Sequence, residues 1–224
     1  MVMEFFRGGT DRQLEEIVGQ ISQMLVDSRH TFDLATDALF AGANADVLGP
    51  EVRKSDKRVN KAERAVRREL VVHTSVRGGR ADMPLVLAAM SIVKDAERIG
   101  DNSKNIWDLA HYGIDLSQAP DRDEMLGHRN ATSRLITDTA RIFSERDSAA
   151  AEELLKSLDA VLDEYDRHVE EQLASDRPAK EAVARALLYR YLKRITANAM
   201  NVLTSLVMPI DRLDYYDEDK ADRI

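Results

Sequence analysis

The chain contains no cysteine. That excludes disulfides, thiolate zinc sites, iron–sulfur clusters and cysteine nucleophiles together, so any metal must be held by oxygen or imidazole ligands. Proline and glycine are scarce, at five and ten residues in 224, while Ala, Leu, Glu and Arg abound. A chain so poor in helix breakers favours long helices. Aromatic residues make up 5% of the total, which leaves the core to aliphatic side chains. No apolar run approaches the ~18 residues that a membrane-spanning helix needs. The opening MVMEFFRGG, interrupted by Glu4, is too short for a signal peptide. A soluble, cytoplasmic protein is expected. Alternating β-branched runs and Asn-Gly hairpins are missing. So are HExxH, GxSxG, GxGxxG and Walker-type strings, so no enzyme is expected. The formal charge is −8, from 32 basic and 40 acidic residues, with the bases interleaved among the acids. That field opposes nucleic acid.

What the chain does have is helical periodicity. Over residues 11–43 apolar positions recur at three- and four-residue spacing through Leu14, Ile17, Ile21, Met24, Leu25, Phe32, Ala35 and Leu39. The stretch GANADVLGP, with two glycines and Pro50, predicts a break before a second helix over residues 51–74. That helix runs to Gly78-Gly79, a turn between arginines that can also cradle an anion. Asp82 as N-cap and Pro84 in the first turn open a third helix. Its seam, Leu85, Ala89, Ile92, Ala96, Ile99, Ser103, Ile106 and Ala110, alternates large and small residues as antiparallel bundles do. Three further helices are expected over residues 123–145, 148–174 and 178–208. The fold expected is all-α: two tandem, pseudo-repeated antiparallel three-helix bundles, residues 1–114 and 123–210. A linker over 115–122 joins them, and a tail over 211–224 holds six acids, three bases and Tyr215-Tyr216, disordered or laid on the surface.

The most informative segment is KDAERIGDNSKNIWD, residues 94–108. It sets Glu97, Asp101 and Asn105 at successive i, i+4 positions on one helix face, about 6 Å apart at Cβ. Like charges so placed repel unless water or a cation offsets them, so the ridge reads either as a metal box or as a solvated acidic face. A related segment, YLKRITANAMNV, recurs at residues 191–202 with Lys193 and Ala197 in place of the acids. Aligning Leu70 with Leu173 also sets Asp56, Asn60 and Glu63 opposite Asp159, Asp163 and Asp166. Asn105 and Asn201 recur in both copies, as auxiliary donors or as register-fixing hydrogen bonds. The five histidines, His30, His73, His111, His128 and His168, show no i, i+3 or i+4 pairing and read as lone residues. Phe5 and Phe6, ahead of the first helix, read either as docking residues or as packing under it.

AERIGDNSKNI at residues 96–106 resembles the signature of the PhoU family of phosphate-uptake regulators, and RYLKRITANAMNV at 190–202 resembles its degenerate second copy. DKRVNKAERAVRREL at 56–70 is similar to the family's preceding helix. The resemblance implies two three-helix bundles and metal sites built from E/D-x-x-x-D pairs on facing helices. Carried over by position, it implies a first site of Asp56, Asn60, Glu97 and Asp101 for a divalent or iron-type metal, with one amide replacing an acid. In the second copy Asp159 and Asp163 match, but Lys193 and Ala197 face them without a carboxylate. The resemblance further implies a regulator at the cytoplasmic face, an adaptor on a membrane phosphate transporter or its sensor kinase. It would be peripheral to the membrane, with a bundle face able to pair a second copy in a homodimer. The alternatives are a metal-free helical scaffold and a metal-dependent phosphohydrolase.

Overall fold

The computed structural model describes residues 12–77 and 83–217. Over these the chain forms six α-helices and no strand: α1 (Arg12–Phe40), α2 (Ala45–Arg77), α3 (Met83–His111), α4 (Arg122–Glu145), α5 (Ser148–Leu173) and α6 (Ala179–Thr204). Short 3-10 turns follow at Ile210–Arg212 and Tyr215–Asp217. Phe5, Phe6, Gly78, Gly79 and Asp82 lie outside the described residues, so the expectations placed on them do too.

Every member of the seam read on the third helix is buried, from Leu85 to Ala110. So are Leu188, Leu192, Ile195, Ala199 and Val202 on α6. Both helices also bury a second face, Val93, Asn102 and Trp107 on α3, and Thr196, Met200 and Leu203 on α6. The second face follows from position. α3 packs on α1 and α2 within its own repeat and on α6 across the repeats, while α1 packs across on α4. Each cross-contact therefore joins equivalent helices, α1 with α4 and α3 with α6, as a two-fold relation between the repeats requires. One continuous apolar core results, running from Ile17 in α1 to Leu206 beyond α6.

The break falls within the stretch read for it, at residues 41–44, but it is shorter than expected: α2 begins at Ala45 and continues through Pro50. Two local causes account for the earlier start. Asn44 Oδ1 accepts the Asp46 N–H at 2.9 Å, a side-chain cap on the first turn. Pro50 lacks only the N–H that would reach back to Asp46, a loss confined to the helix start. Gly49 is there for contact. A Cβ at this position would lie 2.6 Å from Trp107 Cζ2 and 3.0 Å from Arg53 Nη2, so only hydrogen lets the indole pass. Gly49→Ala is expected to cost about 1–3 kcal/mol through overpacking, measured as a fall in the urea midpoint. An unchanged midpoint would mean that the indole has room to shift.

α3 ends at His111, directly before Tyr112-Gly113. Gly113 has φ +80°, its N–H donates to Ala110 O at 3.0 Å, and Ile114 N–H donates to Leu109 O at 3.1 Å. This is a Schellman termination, in which the left-handed residue is glycine because it has no Cβ to clash. The segment after it is docked. Leu116 is buried and its N–H donates to Leu39 O at 2.9 Å, tying the crossover to the end of α1. The first part of the acidic tail is also folded, with Leu213 buried and its carbonyl accepting from Thr204 Oγ1.

Candidate functional site

The ridge on α3 faces the acids of α2. Lys94 Nζ lies 2.7 Å from Glu97 Oε2 and 3.8 Å from Glu63 Oε1, a cation spanning the two helices. One turn further along each helix, Asn60 Nδ2 donates to Asp56 Oδ2 at 3.1 Å. The Asp56 carboxyl is raised above the ordinary aspartate range, first by burial and then by the negative charge of Asp101. Lys104 and the Asn60 hydrogen bond pull it the other way. Lys104 is itself paired with Asp108 at 3.1 Å. Asp101 is exposed, and Asn105 is half-buried. The cluster borders α6, where Tyr191 is pushed up by burial and by the charges of Asp108 and Asp101.

Glu63, Asp56, Glu97, Asp101 and Asp108 together outnumber Lys94, Lys104 and Arg67, which pairs with Glu63 at 3.3 Å, so this face keeps an excess of negative charge. Oxygen-only donors with surplus charge suit a hard divalent cation. Asp56, Glu97 and Asp101 do not come within 4.8 Å of one another as a group, so a cation held by them and Asn60 would need their side chains to close in. Lys94, its side chain 37% exposed, supplies part of the positive charge there.

The second copy is arranged differently. Lys193, aligned with Glu97, forms an ion pair with Asp166 of α5, the residue aligned with Glu63. An ammonium group thus joins α6 to α5 where carboxylates stand in the first copy. Asp159 is half-buried and Asp163 exposed, each with interactions of its own. Asn201 is buried. The amides whose hydrogen bonds visibly repeat are neighbours of the pair singled out in the sequence. Asn102 Nδ2 donates to Arg98 O at 2.7 Å, and Asn198 Nδ2 donates to Arg194 O at 2.6 Å.

Three features escaped the sequence reading. His128 and His168 are not lone residues: their rings meet edge to face at 5.1 Å across α4 and α5, and His168 and His73 are buried. Chain spacing could not show a pairing forty residues apart. The bases are also gathered, for helical period brings Arg53, Lys54, Lys57, Arg58 and Lys61 onto one flank of α2. Finally, Leu109, Tyr112, Ile114, Val183 and Leu187 line an apolar groove where the end of α3 meets the start of α6. Tyr112 in that groove is 76% exposed.

The PhoU domain model matches residues 21–110, which is most of α1 through α3. The chain is 24% identical over 197 residues to the phosphate-specific transport system accessory protein PhoU homolog of Synechocystis sp., covering 86% of this chain and 87% of that protein. The homolog of the same name from Aquifex aeolicus is 25% identical over 192 residues, covering 82% and 84%. PhoU of Serratia marcescens is 32% identical over 107 residues, 45% of this chain and 43% of that one. In fold, the crystal structure of PhoU from Pseudomonas aeruginosa aligns with TM-score 0.77 at 21% identity, over 91% of this chain and 99% of that one. The phosphate transport system regulatory protein PhoU from Streptococcus pneumoniae aligns with TM-score 0.71 at 16% identity, over 96% and 99%. The PhoU domain model fits the repeat that keeps its acids, and the similarity to PhoU proteins in sequence and in fold extends through the one that lost them.

Proposed function

We propose that this chain regulates phosphate transport, acting as an adaptor on a membrane phosphate transporter or its sensor kinase. The observation that carries the reading is the similarity, through both repeats, to proteins named as accessory to phosphate-specific transport. The surface supports it. An adaptor needs shaped helical faces and a way to alter its affinity. The apolar groove between α3 and α6 and the basic flank of α2 offer two such faces. No helix among the described residues is long and apolar enough to cross a membrane, so attachment to a transporter would be peripheral.

The acidic face of α2 and α3 is the proposed modulator. Neutralising surplus charge around Asp56, Glu97 and Asp101 changes what an approaching partner meets, and a bound divalent cation would supply that neutralisation. The experiment has two arms. Cells lacking the gene should change their phosphate uptake rate severalfold, with recovery on restoring the full chain; equal rates at high and limiting phosphate overturn the transport role. For the cation, Mn²⁺ at 100 times its dissociation constant should stabilise the wild type by about 2.7 kcal/mol. The Glu97→Gln/Asp101→Asn variant should show no such gain. Equal response of both proteins removes the modulator from this face; no response in either leaves the metal-free scaffold.

A further inference from the structure

The second repeat holds a constellation of another kind. Glu124 in the first turn of α4, His128 one turn later and His168 of α5 bring one carboxylate oxygen and two ring nitrogens within 4.8 Å of one another. Among the described residues this is the one group of three such side chains so close. Glu124 and His128 share a helix face through their i, i+4 spacing.

His168 gives the constellation its direction. The residue is 3% exposed, and its Nε2 is buried with no hydrogen-bond partner. Its Nδ1 lies 3.1 Å from Glu171 Oε2. An ionised carboxylate only accepts, so the Nδ1 proton is directed at Glu171, and in that tautomer the lone pair lies at Nε2. That lone pair lies 3.8 Å from Glu124 Oε1, too far for a hydrogen bond even if Nε2 were protonated. Tyr189 stacks on the His168 ring at 4.2 Å and 10°, fixing its plane. A buried acceptor left without a donor is destabilising. A metal ion would use that lone pair.

We propose that Glu124, His128 and His168 bind a borderline divalent transition-metal ion of the Zn²⁺ type. Glu171 positions the ring of His168, and the fourth coordination place is open to water. Two imidazoles and one carboxylate form a zinc ligand set, and a carboxylate on the far nitrogen is the usual support for a ligating histidine. Tetrahedral zinc at ~2.0–2.2 Å sets its ligands roughly 3.3 Å apart. Closure therefore draws in Glu124, which is 57% exposed, and the half-buried His128 by small side-chain rotations. The site joins α4 to α5, which touch each other less than any other two helices of one repeat. A bound ion would clamp them. The acid cluster of the first repeat differs in chemistry, being oxygen-only and suited to hard cations, so the two sites are separable by metal preference.

The test uses the full chain, stripped of metal, in the Glu97→Gln/Asp101→Asn background so that the first cluster does not contribute. Co²⁺ should bind with one-to-one stoichiometry, give visible ligand-field bands of a nitrogen-containing site, and be displaced by Zn²⁺. Glu171→Gln should weaken Co²⁺ binding by about 10–100-fold. His128→Gln and His168→Gln should weaken it further and abolish the bands. Because His168 is buried, Glu124→Gln provides a second reading at an exposed position, with at least about a tenfold loss for a missing ligand. Co²⁺ affinity unchanged in both Glu124→Gln and His128→Gln overturns the proposal, as does failure of the metal-free protein to bind Co²⁺ or Zn²⁺ at millimolar concentration.

Discussion

Replacing Asp121 with alanine should destabilise the protein by about 3–5 kcal/mol at neutral pH, because it removes the bidentate partner of a buried guanidinium and leaves it only the Glu181 carboxylate at 3.7 Å as counter-charge. The Arg185 side chain is 2% exposed, with Nε 2.7 Å from Asp121 Oδ2 and Nη2 2.8 Å from Oδ1. This is a bidentate pair, the strongest arrangement open to these groups. Nη1 donates to Glu181 O at 3.3 Å, and Arg177 reaches Asp121 at 3.2 Å from the solvent side. The Asp121 carboxyl is held below the ordinary aspartate range, chiefly by the Arg185 hydrogen bonds, with burial opposing them. A depressed folded pKa contributes stability above the unfolded value of about 3.9, and that stability is lost as pH falls through the folded value. Urea unfolding should therefore separate wild type from Asp121→Ala widely at pH 7 and bring them together well below pH 4. The double variant Asp121→Ala/Arg185→Met should recover much of the loss, since a buried ion pair replaced by apolar groups is often near neutral. A loss under 1 kcal/mol for the single variant at pH 7 would refute the assignment.

Trp107→Ala should cost about 3–5 kcal/mol, the range for emptying a large aromatic from a core. The indole is 2% exposed, yet it comes from the same helix as the acidic ridge. Its Nε1–H donates to Ala45 O at 2.9 Å, Arg53 lies 4.9 Å above the ring, and His111 stacks at 4.9 Å. It thus fastens the end of α3 to the first turns of α2. Trp107→Phe keeps most of the apolar contact but leaves the Ala45 carbonyl without its donor, for an expected loss of about 1–2 kcal/mol. The chain has a single tryptophan, so circular dichroism rather than indole fluorescence must follow unfolding. If alanine costs no more than phenylalanine, the packing account is wrong.

These two sites show how far the sequence could be read. The seam from Leu85 to Ala110 was legible because helical period alone decides which side chains share a face. Gly49 and Pro50 were misleading for the opposite reason. Their local rule is to break a helix, but Asn44 caps the extra turn and Trp107 requires a residue without a Cβ beneath it. Trp107 and Gly49 are far apart in the chain, and no window of sequence contains both. The same holds for Asp121 and Arg185, and for His128 and His168. Glu97, Asp101 and Asn105 were visible at once because they lie on one helix. The role of Lys94 was not, since it depends on Glu63 approaching from α2.

The two-fold relation between the repeats has a further consequence. A homodimer of single repeats would carry every substitution twice and stay symmetric in charge as well as shape. Joined in one chain, the copies have diverged: an acid-rich face on α2 and α3, and a lysine-closed one on α5 and α6. The asymmetry between Glu97 and Lys193 adds to the looser packing of α4 on α5, so the two repeats present different faces to anything that approaches.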